Sequence, residues 1–493
     1  MNTLSAEIPK LSAAKLELLA RRLREKGRHA AYAPPISRRH PSISRPPLSF
    51  EQQRLWFLQQ LDPANASYNI PLSVRFRGAL NVAVLRRALS EVVRRHEILR
   101  TSFEDIDGQP MQIISPPQPV NFPVVDLREL PEQARAEQVA RHRRREVETH
   151  FDLAIGPLWR AKLLRSRTEE HLALFTMHHA ISDGWSMNVL VNELGQLYEA
   201  FAAGRPSPLE ELPVQYADYA IWQREWLQGE VLQTQLDYWR RQLADAPSEL
   251  HLPTDRPAPP TRTTAAAIHE FAIPADVGAR IKEICRNEEA TLFMVMLAAL
   301  ALLLSRYSGQ ENVLIGTVIA GRHRLELEKL IGFFVNTLVM RVDLNGSHDF
   351  RDLLKRVRQT TLAAYAHQDV PFEKLVSELQ PERSLSQNPF FNTLLMVQNM
   401  PRSGLNLENL QIDEIVTDTV AAKFDLSLAV AEFDTGLSST IVYSTDLFDA
   451  ATVARMAETL NQILREATGL AAGAIEATPV TGELLNAFTA TLE

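Results

Sequence analysis

One cysteine, Cys285, is all that the 493-residue chain contains, which excludes an internal disulfide and any multi-cysteine metal site. Cys285 falls in RIKEICRNEEA, a helical pattern, and reads as an inert thiol rather than a nucleophile. Long apolar runs are also missing. The most apolar stretch, Leu292 to Leu304, falls short of the ~20 residues that span a bilayer and reads as a buried helix. The opening MNTLSAEIPKLSAAKLELLARRLREKG lacks the apolar centre of a secretory signal and reads as a charged amphipathic helix. Positive charge is not in excess: 52 Lys and Arg stand against 60 Asp and Glu, a net −8 that argues against a general nucleic-acid binder. These shortages point to a reducing, aqueous compartment, and the expectation is a cytoplasmic protein with no nucleic-acid or membrane partner.

What is present suits a globular protein, with 45% hydrophobic and 23% charged residues and a length that allows two lobes. The helix expected over Ser12 to Lys26 leads into HAAYAPPISRRHPSISRPP, whose Pro, Arg and Ser content reads as an extended tether. Val82, Leu85, Leu89, Val92 and Val93 follow helical spacing, with Asn81 as N-cap. HLALFTMHH reads as a strand entering a loop, AISDG, and then a helix, WSMNVLVNELGQLYEAFAAG, that ends at Gly204. After the proline-rich LPTDRPAPPTR, strand and helix patterns alternate again in VLIGTVIAG, RDLLKRVRQTTLAAYAHQ and FNTLLMVQNM. This is the pattern of an α/β (α+β) protein with two comparable lobes.

The segment of chemical interest is His178-His179-Ala180-Ile181-Ser182-Asp183-Gly184. Neighbouring side chains on a strand point to opposite faces, so His178 and His179 cannot both face one substrate or chelate one metal. The sequence offers no further ligand set for zinc, and no metal is expected. Asp183 can turn back across the loop or reach a cation elsewhere. Gly184 allows a tight backbone just before the next helix, whose backbone N–H groups can face a developing anion. A histidine at such a corner can be a general base. The residues taken alone fit two structural histidines equally well.

HHAISDG resembles the HHxxxDG signature of the condensation-domain superfamily of non-ribosomal peptide synthetases. The resemblance extends to LSFEQQRLWFLQQLDP (Leu48 to Pro63), RRHEILRTSF (Arg94 to Phe103), YADYAIWQ (Tyr216 to Gln223), IGFFVNTLVMR (Ile331 to Arg341) and HQDVPFE (His367 to Glu373), in the family's order. It implies two chloramphenicol-acetyltransferase-like lobes in a V-shaped pseudo-dimer with a central tunnel, entered from opposite faces by two phosphopantetheine arms. The expected division is a helix and linker over 1–44, a first lobe with the HHxxxDG motif over 45–215, a second over 216–480, and a tail over 481–493. One segment departs from the pattern. Where the family often has RDxSRNP, this chain has Arg383-Ser384-Leu385-Ser386-Gln387-Asn388-Pro389. The paired loss of an acid and a base is compatible with a change of subtype.

The resemblance implies an acyltransferase that forms an amide bond between a donor acyl thioester and an acceptor aminoacyl thioester on carrier proteins. It makes His179 the cleft-facing catalytic histidine and His178 its support. The Gly184 N–H becomes an oxyanion donor, and Asp183 a structural residue paired with Arg95 or Arg100. Asn336, Trp185 and Ser186 are candidate tunnel-lining residues. Trp56, Trp222 and Trp239 read as packing residues, and His367 as structural. The basic run Arg141 to Arg145 reads as a solvated helix face, with contact to an acidic carrier as its specific alternative. No cofactor is expected on the chain itself, since 4′-phosphopantetheine travels on donor and acceptor carrier proteins. An adjacent adenylation domain is an expected partner, and the chain, excised or acting in trans, is expected to be monomeric.

DGWSMNVLV and LSFEQQRLWFL look most like the type that joins an L-donor to an L-acceptor. A starter domain that adds a fatty acyl group is the runner-up. A non-catalytic recruitment module is the alternative of another class, disfavoured because such modules tend to lose the second histidine. A heterocyclization domain would carry DxxxxD here, and an epimerization domain fits the remaining motifs less well.

Overall fold

In a computed structural model of the chain, the described residues are 33–470 apart from 248, 260–262, 348, 380–387, 399–409, 416–421 and 434–435. The helix expected over Ser12 to Lys26, the tail over 481–493 and positions 383–387 of RSLSQNP lie outside the described residues. The strands are β1 (Asn69–Gly78), β2 (Thr101–Ile106), β3 (Gln109–Ile114), β4 (Val124–Asp126), β5 (Trp159–Arg167), β6 (Glu170–His178), β7 (Ala266–Ile273), β8 (Asn312–Ile319), β9 (Asn336–Asp343), β10 (Thr393–Gln398), β11 (Leu410–Ile415), β12 (Leu426–Phe433) and β13 (Gly436–Ser444). The helices are α1 (Phe50–Leu61), α2 (Val82–Arg95), α3 (Glu132–Glu148), α4 (Gly184–Ala202), α5 (Tyr216–Trp226), α6 (Gly229–Gln242), α7 (Ala275–Asn287), α8 (Leu292–Ser308), α9 (Leu325–Glu328), α10 (Phe350–Tyr365), α11 (Phe372–Leu379) and α12 (Ala450–Ala467).

The first sheet is ordered β11-β1-β6-β5-β4. Its centre is β6, whose EHLALFTMH is buried at every position after the first, because helices or strands cover both faces. Antiparallel pairing sets Asn69 of β1 opposite His178, so the register delivers the end of β6 to a fixed place. Asn81 caps α2 by accepting the Val84 N–H, as its spacing suggested. The apolar stripe of α2, including Leu85, Leu89 and Val92, turns inward, and α2 packs on α4.

The second sheet is ordered β7-β13-β12-β10-β8-β9. Helix α8, capped by Thr291, is apolar on all sides because it is buried on all sides, among β8, β10, α10 and α12. This is the stretch that was too short to span a bilayer, and among the described residues no single helix is long and apolar enough to cross one. Cys285 lies in α7, half-buried, and burial pushes its thiol pKa up.

The sheets are not built from separate halves of the sequence. Strand β11 follows β10 in the chain yet pairs antiparallel with β1, from Gly78↔Leu410 to Ser73↔Ile415. Both sheets are open, and together with the helices they form a mixed helix-and-sheet fold of the class the sequence suggested.

Candidate active site between the two sheets

Strand β6 ends at His178, and His179 begins a short 3-10 turn through Ile181. The His179 N–H donates to the carbonyl of Tyr68 at 2.8 Å, which ties the turn to the segment before β1. Its ring Nδ1 lies 3.1 Å from the carbonyl oxygen of Ser182. A carbonyl has no proton to give, so Nδ1 is the donor, and the neutral ring presents Nε2 as its acceptor. The ring sits 5.1 Å from that of Phe333, in the segment before β9. Burial first, then the positive charge of Lys423, holds the His179 pKa well below its ordinary 6.5. His179 is therefore uncharged at neutral pH.

His178, the last residue of β6, has different surroundings. Its Nδ1 accepts the Ala180 N–H at 3.0 Å, and its ring lies between those of Tyr68 and Phe151. Burial pushes its pKa down to about 3. An accepting Nδ1 places the ring proton on Nε2, so the two adjacent histidines hold opposite tautomers.

Asp183 caps α4 and is fully buried. Its Oδ1 accepts the Ser186 N–H at 2.8 Å, the Ser186 hydroxyl at 2.7 Å and the Arg322 guanidinium at 2.8 Å. Its Oδ2 accepts the Phe334 N–H at 3.1 Å. The expected partner, Arg95 or Arg100, is corrected: the cation is Arg322, just past the end of β8. Arg95 donates instead to both carboxylate oxygens of Glu193 and to the Glu210 carbonyl. Glu193 lies about 15 Å further along α4 at the helical rise, so Arg95 meets the middle of the helix and not its cap. Arg100 is directed to the Ser115 carbonyl and to Glu97.

Arg322 is held in turn by the carbonyls of Leu327 and Leu330 at 3.1 Å and lies 4.1 Å above the Phe334 ring. The chain can bring it there because residue 321 is glycine. Gly321 has φ of +63°, and a Cβ at that point would stand 2.0 Å from the Phe334 carbonyl oxygen. Gly332 is required by close approach, since a Cβ there would meet the Tyr216 ring at 2.0 Å. The Tyr216 hydroxyl donates to the Phe333 carbonyl at 2.6 Å and shares a hydrogen bond with Ser49. The 330–334 segment is thus fixed from one side by α4 and from the other by α5.

Ser186 is fully buried within this network, where its hydroxyl also accepts the Gly332 N–H and an Arg322 N–H. The Trp185 indole donates to the Glu328 carbonyl at 2.8 Å. Asn336 donates to the carbonyls of Gln368 and Val370 and accepts the N–H groups of Thr337 and Phe372. Its polar atoms fasten the HQDVPFE segment to β9. Gly184 is buried at the first position of α4. His367 stacks on Tyr238 at 4.1 Å and donates from Nδ1 to the Ala363 carbonyl. Trp239 donates to the His367 carbonyl, Trp56 packs edge-on against Phe103, and Trp222 stacks on Trp226. Arg141 to Arg145 lie on α3.

Sequence reasoning missed Arg322, Tyr216, Arg54 and Lys423. Arg54, on α1, pairs with Glu373 on α11 at 2.8 Å. The Lys423 ammonium stands 5.2 Å from the centre of the Tyr68 ring. For Arg322 a signal existed, since GRHR places a cation directly after an apolar strand. Among the described residues no three His, Cys, Asp or Glu side chains converge as a metal site.

The condensation-domain family model matches residues 44–481. One of the linear gramicidin synthase proteins of Brevibacillus parabrevis is 46% identical over 436 residues, 88% of this chain and 6% of that protein. The phosphinothricin tripeptide synthetase PhsC of Streptomyces viridochromogenes is 40% identical, over 97% of this chain and 44% of that protein. The chain therefore spans less than half the length of either relative. An X-domain from teicoplanin biosynthesis, solved in complex with OxyB, superimposes with a TM-score of 0.77 at 32% identity, covering 89% of this chain and 96% of that one. The first condensation domain of the calcium-dependent antibiotic synthetase shares the fold, with a TM-score of 0.70 at 21% identity over 86% of this chain and 97% of that one. With the motifs in order, the paired sheets and a family match over most of its length, the chain belongs to the condensation domains, the acyltransferases that form amide bonds in non-ribosomal peptide synthetases.

Proposed function

We propose that this domain joins a donor acyl or peptidyl thioester to an acceptor aminoacyl thioester, both brought on phosphopantetheine arms of carrier proteins, with L-configured donor and acceptor. The observation that carries the reading is the state of His179. Its Nδ1 is committed to the Ser182 carbonyl, and burial keeps the ring neutral, so Nε2 is prepared to take or orient a proton. The acceptor amine attacks the thioester carbonyl, and a C–N bond forms. The amine gives up its proton through His179 Nε2, the C–S bond breaks, and the departing thiolate takes the proton. Thioesters already react with neutral amines, so holding the two arms in line supplies much of the rate. The buried start of α4 at Gly184 offers a backbone N–H to the developing oxyanion.

In this reading the lobes divide near residue 215, a tunnel between them admits the two arms, and the domain works as a cytoplasmic monomer beside an adenylation domain. Arg95 and Arg100 support the site indirectly, Arg95 by anchoring α4 through Glu193. The fatty-acyl starter reading remains the runner-up on subtype. A recruitment role is a second reading, favoured by the 32% identity to the X-domain and opposed by the intact His178-His179 pair. A peptide-forming assay with two loaded carriers tests the proposal. Dipeptidyl product on the acceptor carrier, lost in His179→Ala, supports it. Absence of product with every loaded carrier pair, under conditions where a known condensation domain turns over, contradicts it.

A further inference from the structure

Helix α1 begins with a capping box, and both side chains of the box make a further bond that a helix start does not need. Within the box, the Ser49 hydroxyl accepts the Gln52 N–H at 3.1 Å, and the Gln52 side-chain oxygen accepts the Ser49 N–H at 3.2 Å. The other end of the Gln52 amide, Nε2, donates to the carbonyl of Ala180 at 2.9 Å, one residue past His179. The Ser49 hydroxyl meets that of Tyr216 at 2.9 Å. Tyr216 gives its own proton to the Phe333 carbonyl at 2.6 Å, so it accepts from Ser49. One chain of hydrogen bonds therefore runs from the histidine turn through Gln52, Ser49 and Tyr216 to Phe333, whose ring lies 5.1 Å from that of His179. Ser49 and Gln52 are 0% exposed and Tyr216 1%, so these links are shielded from solvent.

We propose that Gln52 and Ser49 are positioning residues for His179, a clasp at the start of α1 that holds the histidine turn and the Phe333 segment at one spacing and so aims the imidazole. This rests on the reading of His179 as proton acceptor. Two observations separate a clasp from an ordinary helix cap. First, α1 is seated on the helix that carries Tyr216. The Phe50 N–H donates to Gln223 Oε1 at 3.1 Å, and Gln223 Nε2 donates to both oxygens of Glu51 at 2.8 and 3.1 Å. Tyr216 and Gln223 stand about two turns apart on α5, so they share the face turned to α1. Second, the peptide group that joins Phe333 to Phe334 is held at both ends, its oxygen by Tyr216 and its N–H by Asp183 Oδ2 at 3.1 Å. Asp183 follows the histidine turn, so the contacts close a ring: turn, α1, α5, Phe333 and back to the turn. Linked hydrogen bonds reinforce one another in a buried site. A proton acceptor displaced by ~1 Å loses ~100-fold in rate, so a clasp of this kind has a kinetic consequence.

The test reads the full chain in two ways. One is single-turnover amide formation across a range of loaded-carrier concentrations. The other is the NMR signal of the His179 ring in protein made with isotope-labelled histidine, identified by its absence in His179→Ala. Gln52→Met keeps the length of the side chain and removes its donor and acceptor. Tyr216→Phe removes one oxygen and leaves the capping box whole, and it carries the test if Gln52→Met fails to fold. Ser49→Ala cuts the chain of bonds in its middle. Each variant should move the His179 signal and lower the rate at saturating carriers by ~10- to 100-fold, the scale of a displacement of up to an ångström. The half-saturating carrier concentration should stay in place. Folded variants whose His179 signal keeps its original position overturn the inference, as does a loss confined to the half-saturating concentration. A signal that moves while the saturating rate and the half-saturating concentration both hold supports the clasp and removes instead the reading of His179 as the proton acceptor.

Discussion

Asp183 and Arg322 meet at 2.8 Å with their side chains 0% and 1% exposed, although 139 residues separate them in the chain. The carboxylate caps the helix that follows the histidine turn, and the guanidinium follows the strand that leads to Phe333 and Phe334. One ion pair therefore sets the His179 turn against the segment that faces it.

Truncating either member leaves the other charge buried alone. Asp183→Ala and Arg322→Met should each destabilise the domain by ~3–5 kcal/mol, read as a lower midpoint in denaturant unfolding. The double variant should lose clearly less than the sum of the two, with a coupling of ~1–3 kcal/mol. Asp183→Ala combined with Arg95→Met should be additive within ~0.5 kcal/mol, since Arg95 is committed to Glu193. Strong coupling to Arg95 and none to Arg322 would refute the assignment.

The two histidines should separate by phenotype. His179→Ala should cut amide formation on loaded carriers by ~100-fold or more, the scale of a lost acid–base group, while melting near the unaltered chain. His178→Ala removes the acceptor for the Ala180 N–H and a ring packed by Tyr68 and Phe151, so it should lower thermal stability by ~1–3 kcal/mol. A folded His179→Ala domain with normal turnover is the contrary result.

Two buried groups should tilt stability in opposite directions with pH. His178 titrates at 6.5 when unfolded but is pushed down to about 3 when folded, by burial first. Between those values the unfolded chain binds more protons, so stability falls as pH drops from 6.5 towards 3. Glu51, buried against Gln223, is pushed up from 4.5 to about 7, again by burial first. Here the folded state binds more protons, so its contribution is full below 4.5 and is lost as pH rises through 7. Glu51→Gln should therefore gain stability relative to the unaltered chain at pH ~8 compared with pH ~5. Denaturant midpoints for both chains across this range are the check, and a constant difference would show that Glu51 does not titrate between them.

Local chemistry was legible in the sequence where it acts over a few residues. Asn81 read as a helix start because its side chain bonds the N–H group three residues on; Asp183 does the same at α4, which the sequence reading did not assign. Leu292 to Leu304 read as buried because a helix apolar on every side must be covered. His178 and His179 read as facing apart from strand alternation alone, and the structure gives them different neighbours and opposite tautomers. Long-range pairing was not legible. Many arginines could satisfy Asp183, and only the path of the chain past Gly321 selects Arg322. Strand β11 was invisible for the same reason, since its partner β1 lies more than three hundred residues earlier. Asn336 was readable as polar among apolar neighbours but not as the clasp on Gln368, Val370 and Phe372.

Direct transfer is the central claim, and it is tested most sharply by intact-protein mass spectrometry of this domain mixed with loaded donor carrier, before and after loaded acceptor carrier is added. Cys285 is a half-buried thiol with its pKa pushed up, Ser186 is bonded to Asp183, and no G-x-S-x-G elbow surrounds Ser182 or Ser186. The account predicts that the mass of the chain never changes, while product appears on the acceptor carrier only when both carriers are present. An acyl adduct on this chain that forms with the donor alone and is discharged by the acceptor would contradict it.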